Sequence, residues 1–215
     1  MVKTLIQCDF DGTITRIDAS FLILDLFGNK DWGRWFQDYR EGKISVGRFN
    51  TMAFATVKAD EPTLVKLIRD KIEVRPGFRE LLEYCNRRDF KFVIVSNGLD
   101  FYIRAILGDI GVSGIEVFAA KSSFGGDGID VRYLGPNGEL VEDRFKDTYL
   151  RLFQQQGYRV IYAGNGISDF APASKAYHTF ATDDLLAHCE EAKVSCTPFS
   201  DFNDVVRGLE SLPLT

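Results

Sequence analysis

The run Asp9-Phe10-Asp11-Gly12-Thr13-Ile14-Thr15 sets two carboxylates two residues apart, directly behind the apolar segment 4–8. Carboxylates can attack an electrophile, exchange a proton or ligate a hard cation. Their place matters as much as their type. A buried strand that ends in an acid delivers it to the carboxyl edge of an open α/β sheet, where ligands of such sheets bind. Two blander readings compete. One is an acidic turn, since Asp and Gly are turn residues. The other is a calcium loop, which needs a further Asp or Asn just before the glycine and a Glu at the twelfth position. Here the residue before Gly12 is Asp11 itself and the twelfth position is Ser20, so the calcium loop is rejected.

The rest of the chain supplies the scaffold. Residues 4–8, 90–95 and 159–163 read as short β-rich strands bounded by turn residues, with 115–119 and 178–181 as weaker ones. This is the pattern of strands covered on both faces. Helical patterns lie between them: Pro76 opens one through Arg88, and 146–156 and 201–212 are two more. Alternating β and α predicts a Rossmann-like parallel sheet with helices on both faces. From Asp18 to Val74 the alternation stops. Asp18 can cap a helix that ends at Gly28. Trp32, Trp35, Phe36 and Tyr39 form an apolar face; Phe49, Met52 and Val57 form a looser set. Asp60 and Pro62 start a fourth helix, with Leu64, Leu67, Ile68 and Ile72 on one side. The expected division is a core domain of residues 1–15 and 76–215 with a helical domain, 16–75, inserted after the first strand. Residues 122–134 predict a hairpin turning at 125–128.

Composition narrows the function. The 215 residues are 45% hydrophobic and 27% charged, which excludes a disordered or fibrous chain. A net charge of −5 argues against nucleic-acid binding, which relies on basic surfaces. No apolar stretch approaches a membrane span, and residues 4–8 are too few for a signal-peptide core. Cys8, Cys85, Cys189 and Cys196 form no CxxC pair, and His178 and His188 have no zinc-like spacing. A reduced, cytoplasmic protein with four free thiols and no membrane or nucleic-acid partner is expected. Trp32 and Trp35 fit either a bundle core or a dimer contact, so both monomer and homodimer stay open.

Asp9-Phe10-Asp11-Gly12-Thr13 resembles the first motif of the haloacid dehalogenase (HAD) superfamily, whose phosphatases use two aspartates at this spacing. The other family motifs appear in order. Ser96 follows the strand 90–95, Lys146 opens the helix after the hairpin, and Gly164-Asn165-Gly166-Ile167-Ser168-Asp169 follows the strand 159–163. The resemblance implies the HAD fold and phosphoryl transfer, which needs a nucleophile, charge neutralisation and a proton donor. It assigns Asp9 as the nucleophile that forms an aspartyl-phosphate, and Asp11 as the acid for the leaving alcohol and later the base for water. Ser96, Asn97 and Gly98 would hold phosphate oxygens, and Lys146 would neutralise charge beside Asp9 and the phosphate. Mg²⁺ would be bound by Asp9, the Asp11 carbonyl, Asn165 and Asp169. Asn165 stands where the family usually has an Asp. An amide oxygen can ligate Mg²⁺ but brings no charge, so weaker metal binding is expected, with Asp169 carrying more of the load. Asn165-Gly166 is also a candidate for deamidation.

The helical insert resembles the small C1-type cap of the phosphoserine-phosphatase-like branch. In phosphoserine phosphatases the position of Asp18 is typically a Glu facing the substrate amine; the competing reading of Asp18 is a helix N-cap. Residues 96–101, 180–186 and 198–202 are similar to the methionine-salvage phosphatases, which act on 2-hydroxy-3-keto-5-methylthiopentenyl-1-phosphate. A Gly-rich hairpin replaces the Cys-rich segment some of those carry, so the branch is carried over and the substrate is not. The expected activity is Mg²⁺-dependent hydrolysis of a small phosphorylated metabolite. The alternatives are a phosphomutase, or a catalytically impaired phosphometabolite-binding protein, motivated by Asn165.

Overall fold

Strand β1 (Lys3–Cys8) buries every residue after Lys3, because it has a neighbour on each edge. The computed structural model describes residues 2–213. After β1 come α1 (Ala19–Phe27), α2 (Trp32–Arg40), α3 (Val46–Phe54) and α4 (Glu61–Lys71), with no strand among them. Then follow α5 (Phe78–Arg87), β2 (Lys91–Leu99), α6 (Asp100–Asp109), β3 (Glu116–Gly125), β4 (Gly128–Arg132), α7 (Phe145–Gln155) and β5 (Tyr158–Gly164). A 3₁₀ turn (Ile167–Asp169) leads into α8 (Phe170–Ala173), β6 (His178–Ala181), α9 (Asp183–Glu191), β7 (Thr197–Pro198) and α10 (Phe202–Ser211). The seven strands form one sheet in the order β4-β3-β2-β1-β5-β6-β7. All neighbours are parallel except β3 and β4, the hairpin that closes Gly125 on Gly128. Leu5, Ile6, Val93, Ile94, Val95 and Ile161 are fully buried, each contributing about 1.5–3 kcal/mol of burial. Helices therefore cover both sides of the central strands. The fold is the α/β architecture expected, with a helical insert after the first strand.

Local chemistry explains the helix starts. Asp18, Ser45, Asp60 and Asp201 each accept a hydrogen bond from the first turn of the helix they precede. Two expectations need correcting. Pro76 does not open α5: Gly77 follows it at φ +80°, packed where a Cβ would come within 2.6 Å of the Asn203 backbone nitrogen, and the helix starts at Phe78. The strand expected to end at Val95 runs to Leu99 through a register shift, so Ser96 lies inside its irregular end rather than after it. Helix α6 and the two-residue β7 had no counterpart in the sequence reading. All four cysteines are free, Cys196 alone being partly exposed. Among the described residues no helix is long and apolar enough to cross a membrane.

Candidate active site

Sheet order brings the motif segments together. Cys8 pairs with Ile94 on one side and Ala163 on the other, so the chain leaves β1, β2 and β5 at one edge. The Asp9 amide continues the ladder onto the Ala163 carbonyl at 2.9 Å. The segment then turns tightly: the amides of Thr13, Ile14 and Thr15 all converge on the Phe10 carbonyl at 2.8–3.1 Å. Gly12 sits at φ +72° in this turn, and a Cβ there would also run into the Asn165 side chain. Buried Arg75 holds the turn from outside. Its guanidinium donates to the carbonyls of Thr13 (2.9 Å), Gly12 (2.7 Å) and Ser200 (2.7 Å), which compensates the burial of a cation.

Lys146, in the first turn of α7, is 3% exposed and lies between two carboxylates. Its Nζ is 2.6 Å from Asp169 Oδ1 and 2.8 Å from Asp9 Oδ1. Gln7 pins the start of that helix by donating to the Lys146 carbonyl at 2.9 Å. Burial works to strip the Lys146 proton, but Asp169 and Asp9 outweigh it, so the ammonium is held charged. Burial pushes Asp9 up to about 7, with Asp169 adding to the rise and Lys146 opposing it. Asp169 departs from the expectation of a metal ligand. It is fully buried, and both oxygens are taken: Oδ1 by Lys146 and the Tyr162 hydroxyl (2.5 Å), Oδ2 by the amides of Asn165 (3.1 Å) and Gly166 (2.8 Å). It is a strut for Lys146 and the loop. Holding the Gly166 amide also opposes deamidation at Asn165, which needs that nitrogen free to attack.

Asp11 is held on both oxygens. Oδ1 accepts from the Ala19 amide at 3.0 Å, and Oδ2 from the Tyr102 hydroxyl. Burial raises its pKa well above the carboxylate range, Asp18 adds to the rise, and the Tyr102 hydrogen bond opposes it. Burial thus favours the neutral form of both Asp11 and Asp9, and only Asp9 has Lys146 beside it to oppose the rise. Ser96 Oγ accepts from the Gly98 amide at 3.0 Å, leaving its own hydrogen free for the cavity. That takes the Gly98 N–H away from the phosphate-binding role expected of it; Gly98 instead leaves room, because a Cβ there would strike Tyr102 and Asp11. The Asn97 carbonyl accepts from Asn50 Nδ2 (3.0 Å) and the Tyr133 hydroxyl (2.6 Å), tying the edge of β2 to α3. Asp18 both caps α1, through Phe21 N at 2.9 Å, and lines the cavity; burial lifts its pKa to about 6. Tyr102, Thr13, Arg75, Asn50 and Tyr162 were not singled out in sequence.

Asp9, Asp11, Ser96, Asn97, Gly98, Lys146, Asn165 and Asp18 line one cavity of about 270 Å³ between the sheet edge and the helical insert. Three oxygen donors suited to a hard cation belong to its walls. They are the Asp9 carboxylate, the Asp11 carbonyl, which accepts no hydrogen bond among the described residues, and the Asn165 amide oxygen. Asp9 Oδ1 has no well-directed hydrogen bond despite its contact with Lys146. Asn165 Oδ1 takes one bond, from Thr13 at 3.0 Å, and keeps a second lone pair. The donors fit Mg²⁺ with a single formal charge. No cluster of three His, Cys, Asp or Glu side chains forms among the described residues, because Asp169 is turned to Lys146 and Asn165 is an amide.

The haloacid dehalogenase-like hydrolase model matches residues 6–174. A 2-hydroxy-3-keto-5-methylthiopentenyl-1-phosphate phosphatase of Bacillus mycoides is 26% identical over 209 residues, 95% of each chain. One of the same name from Brevibacillus brevis is 27% identical, over 98% of this chain and 96% of its own. Among solved structures, a phospho-aspartyl intermediate analogue of phosphoserine phosphatase superposes with a TM-score of 0.71 at 19% identity, covering 97% and 99% of the two chains. The chain belongs to the haloacid dehalogenase-like hydrolase family. Its relatives there are named phosphatases, and it is an enzyme of that kind.

Proposed function

We propose that the chain is a Mg²⁺-dependent phosphomonoesterase working through an aspartyl-phosphate, with residues 16–75 acting as a cap on a core of 1–15 and 76–215. The observation that carries this is the convergence of Asp9, Asp11, Ser96 and Lys146 on one cavity. The Asp9 carboxylate attacks phosphorus, while Lys146 and the Ser96 hydroxyl stabilise the phosphoryl oxygens. Asp11, whose burial favours the neutral acid, gives its proton to the leaving oxygen. It then takes a proton from the water that cleaves the Asp9 ester. Asp9, the Asp11 carbonyl and Asn165 would hold the cation, which when bound supplies charge neutralisation for the phosphate.

The cavity also bears on the substrate. Lys146 is its only cation among the described residues, and it is already paired with Asp9. On the insert side stand Phe21, Phe36, Tyr39, Val46 and Phe49 with the carboxylate of Asp18, and α9 of the core adds Asp183 and Asp184. A carboxylate on the far end of the substrate would meet repulsion and find no partner. This favours a small ester with an apolar, carboxylate-free tail, the class named for the Bacillus and Brevibacillus relatives, over a phosphoamino acid. Phosphate release from a panel of alkyl phosphates and phosphoserine, with Mg²⁺ or EDTA and with Asp9→Asn in parallel, tests both points. Metal-dependent turnover of the alkyl esters, at least about tenfold above phosphoserine, is expected. Preference for phosphoserine would overturn the substrate class, and undiminished Asp9→Asn the mechanism. The missing charge at Asn165 supports one rival, a binding protein; ligand binding without turnover, with turnover appearing only in Asn165→Asp, decides for it.

A further inference from the structure

The Asp11 carboxyl is gripped by a residue that the reaction steps above do not use. Tyr102, near the start of α6, is fully buried and donates its hydroxyl hydrogen to Asp11 Oδ2. The same hydroxyl shares a 2.8 Å hydrogen bond with Ser20 Oγ in α1. The other Asp11 oxygen accepts from the Ala19 amide, also in α1. One carboxyl is thus clamped between α6 and the first helix of the insert. Gly98 fits the same arrangement, since a Cβ there would run into both the Tyr102 hydroxyl and Asp11 Oδ2. Packing against Phe101, with ring centroids 5.3 Å apart, holds the phenol ring itself.

A carboxyl turns freely about its Cβ–Cγ bond unless both oxygens are engaged, and a general acid is useful only when its proton faces the leaving atom. Each carboxyl oxygen has two lone-pair directions, so the bonds from Tyr102 and Ala19 fix the plane and still leave a direction open to the cavity. We propose that Tyr102 is a positioning residue for proton transfer to the leaving group, setting the plane of the Asp11 carboxyl, and that Ser20 sets the direction of the Tyr102 hydroxyl. The proposal rests on the phosphatase reading with Asp11 as acid.

Leaving-group dependence separates positioning from bulk structure. A p-nitrophenolate departs without protonation, whereas an alkoxide needs the acid. The quantity to compare is kcat/KM, which covers steps up to departure and excludes the later hydrolysis of the Asp9 ester common to both substrates. In Tyr102→Phe we expect kcat/KM for an alkyl phosphate to fall at least about tenfold and for p-nitrophenyl phosphate less than about threefold, part of the 10²–10⁴ that a general acid supplies. Ser20→Ala, which keeps the tyrosine, should show the same selectivity at smaller size, and it carries the test if Tyr102→Phe folds poorly. In an Asp11→Asn background, Tyr102→Phe should add no selective loss. Equal losses on both esters, or none on the alkyl ester, would overturn the proposal. Failure of the phosphatase reading looks different: the unaltered protein would then release phosphate from neither ester.

Discussion

Replacing Asp169 by Asn changes one oxygen to an NH₂ group and nothing else in shape. The consequences follow from its four donors: Lys146 and Tyr162 on Oδ1, the Asn165 and Gly166 amides on Oδ2. An amide keeps one acceptor, so two donors lose theirs whichever way it turns, and Lys146 keeps only Asp9 as a counter-charge. Leaving a buried donor unmade costs about 1–3 kcal/mol, and removing one partner of a buried ion pair costs about 3–5 kcal/mol. These overlap, so about 3–5 kcal/mol is the expected loss, a large share of a domain's total stability. With a urea slope of about 2–3 kcal/mol/M for a chain of this size, the unfolding midpoint should drop by roughly 1–2 M. Activity should fall as well, and about tenfold more Mg²⁺ should not restore it, because Asp169 acts on Lys146 and not on the cation. A midpoint within about 0.3 M of the unaltered protein, or recovery at high Mg²⁺, would refute the assignment of Asp169 as a strut.

Three further outcomes follow from the same cluster. Asp9 is raised in the fold to about 7 by burial, with Asp169 adding. The folded state therefore binds its proton more tightly than the unfolded one, and stability falls as pH rises from about 4 through 7. Asp9→Asn should abolish turnover, and its stability relative to the unaltered protein should shift in its favour as pH rises from about 4 through 7, read by urea titrations at several pH values. Asn165→Asp adds a charge to the cation donors and should lower the Mg²⁺ concentration for half-maximal activity about tenfold, read by metal titration. Gly98→Ala places a methyl against Tyr102 and Asp11 and should cost about 1–3 kcal/mol of stability together with most of the alkyl phosphatase activity, read by thermal melting and phosphate release.

The parts of the site legible in sequence are those fixed by local pattern. Asp9 could be placed because residues 4–8, with Leu5, Ile6 and Cys8, read as a short buried strand, and a strand end is a defined place in an α/β sheet. Asp18 and Asp60 announced helix starts by their type, and both cap as read. What failed depended on distant contacts. The function of Gly98 depends on Tyr102 and Asp11 meeting beside it, which no spacing in the 96–102 segment encodes. In sequence Asp169 and Asn165 both read as metal donors, Asp169 as the stronger. Only the fold shows one turned into a four-donor pocket and the other facing the cavity. Nothing in sequence sets Arg75 apart, and its burial is explained only by three carbonyls brought from two separate loops. Helix α6 escaped notice because Phe101, Tyr102, Ile103, Ile106 and Leu107 are all buried, which leaves only a narrow exposed side at Arg104, Gly108 and Asp109 to mark a helix in sequence.

The central claim is that Asp9 carries the phosphoryl group. The direct measurement is the intact mass of the protein quenched in acid during turnover of an alkyl phosphate with Mg²⁺, followed by peptide mapping. We expect an adduct of about 80 Da on the peptide containing Asp9, absent in Asp9→Asn and lost on treatment with hydroxylamine, as an acyl phosphate should be. Steady turnover of p-nitrophenyl phosphate, whose departure needs no acid, with no adduct in Asp11→Asn, where hydrolysis of the acyl phosphate should be slowed and the adduct enriched, or an adduct mapped to any other residue, would contradict it.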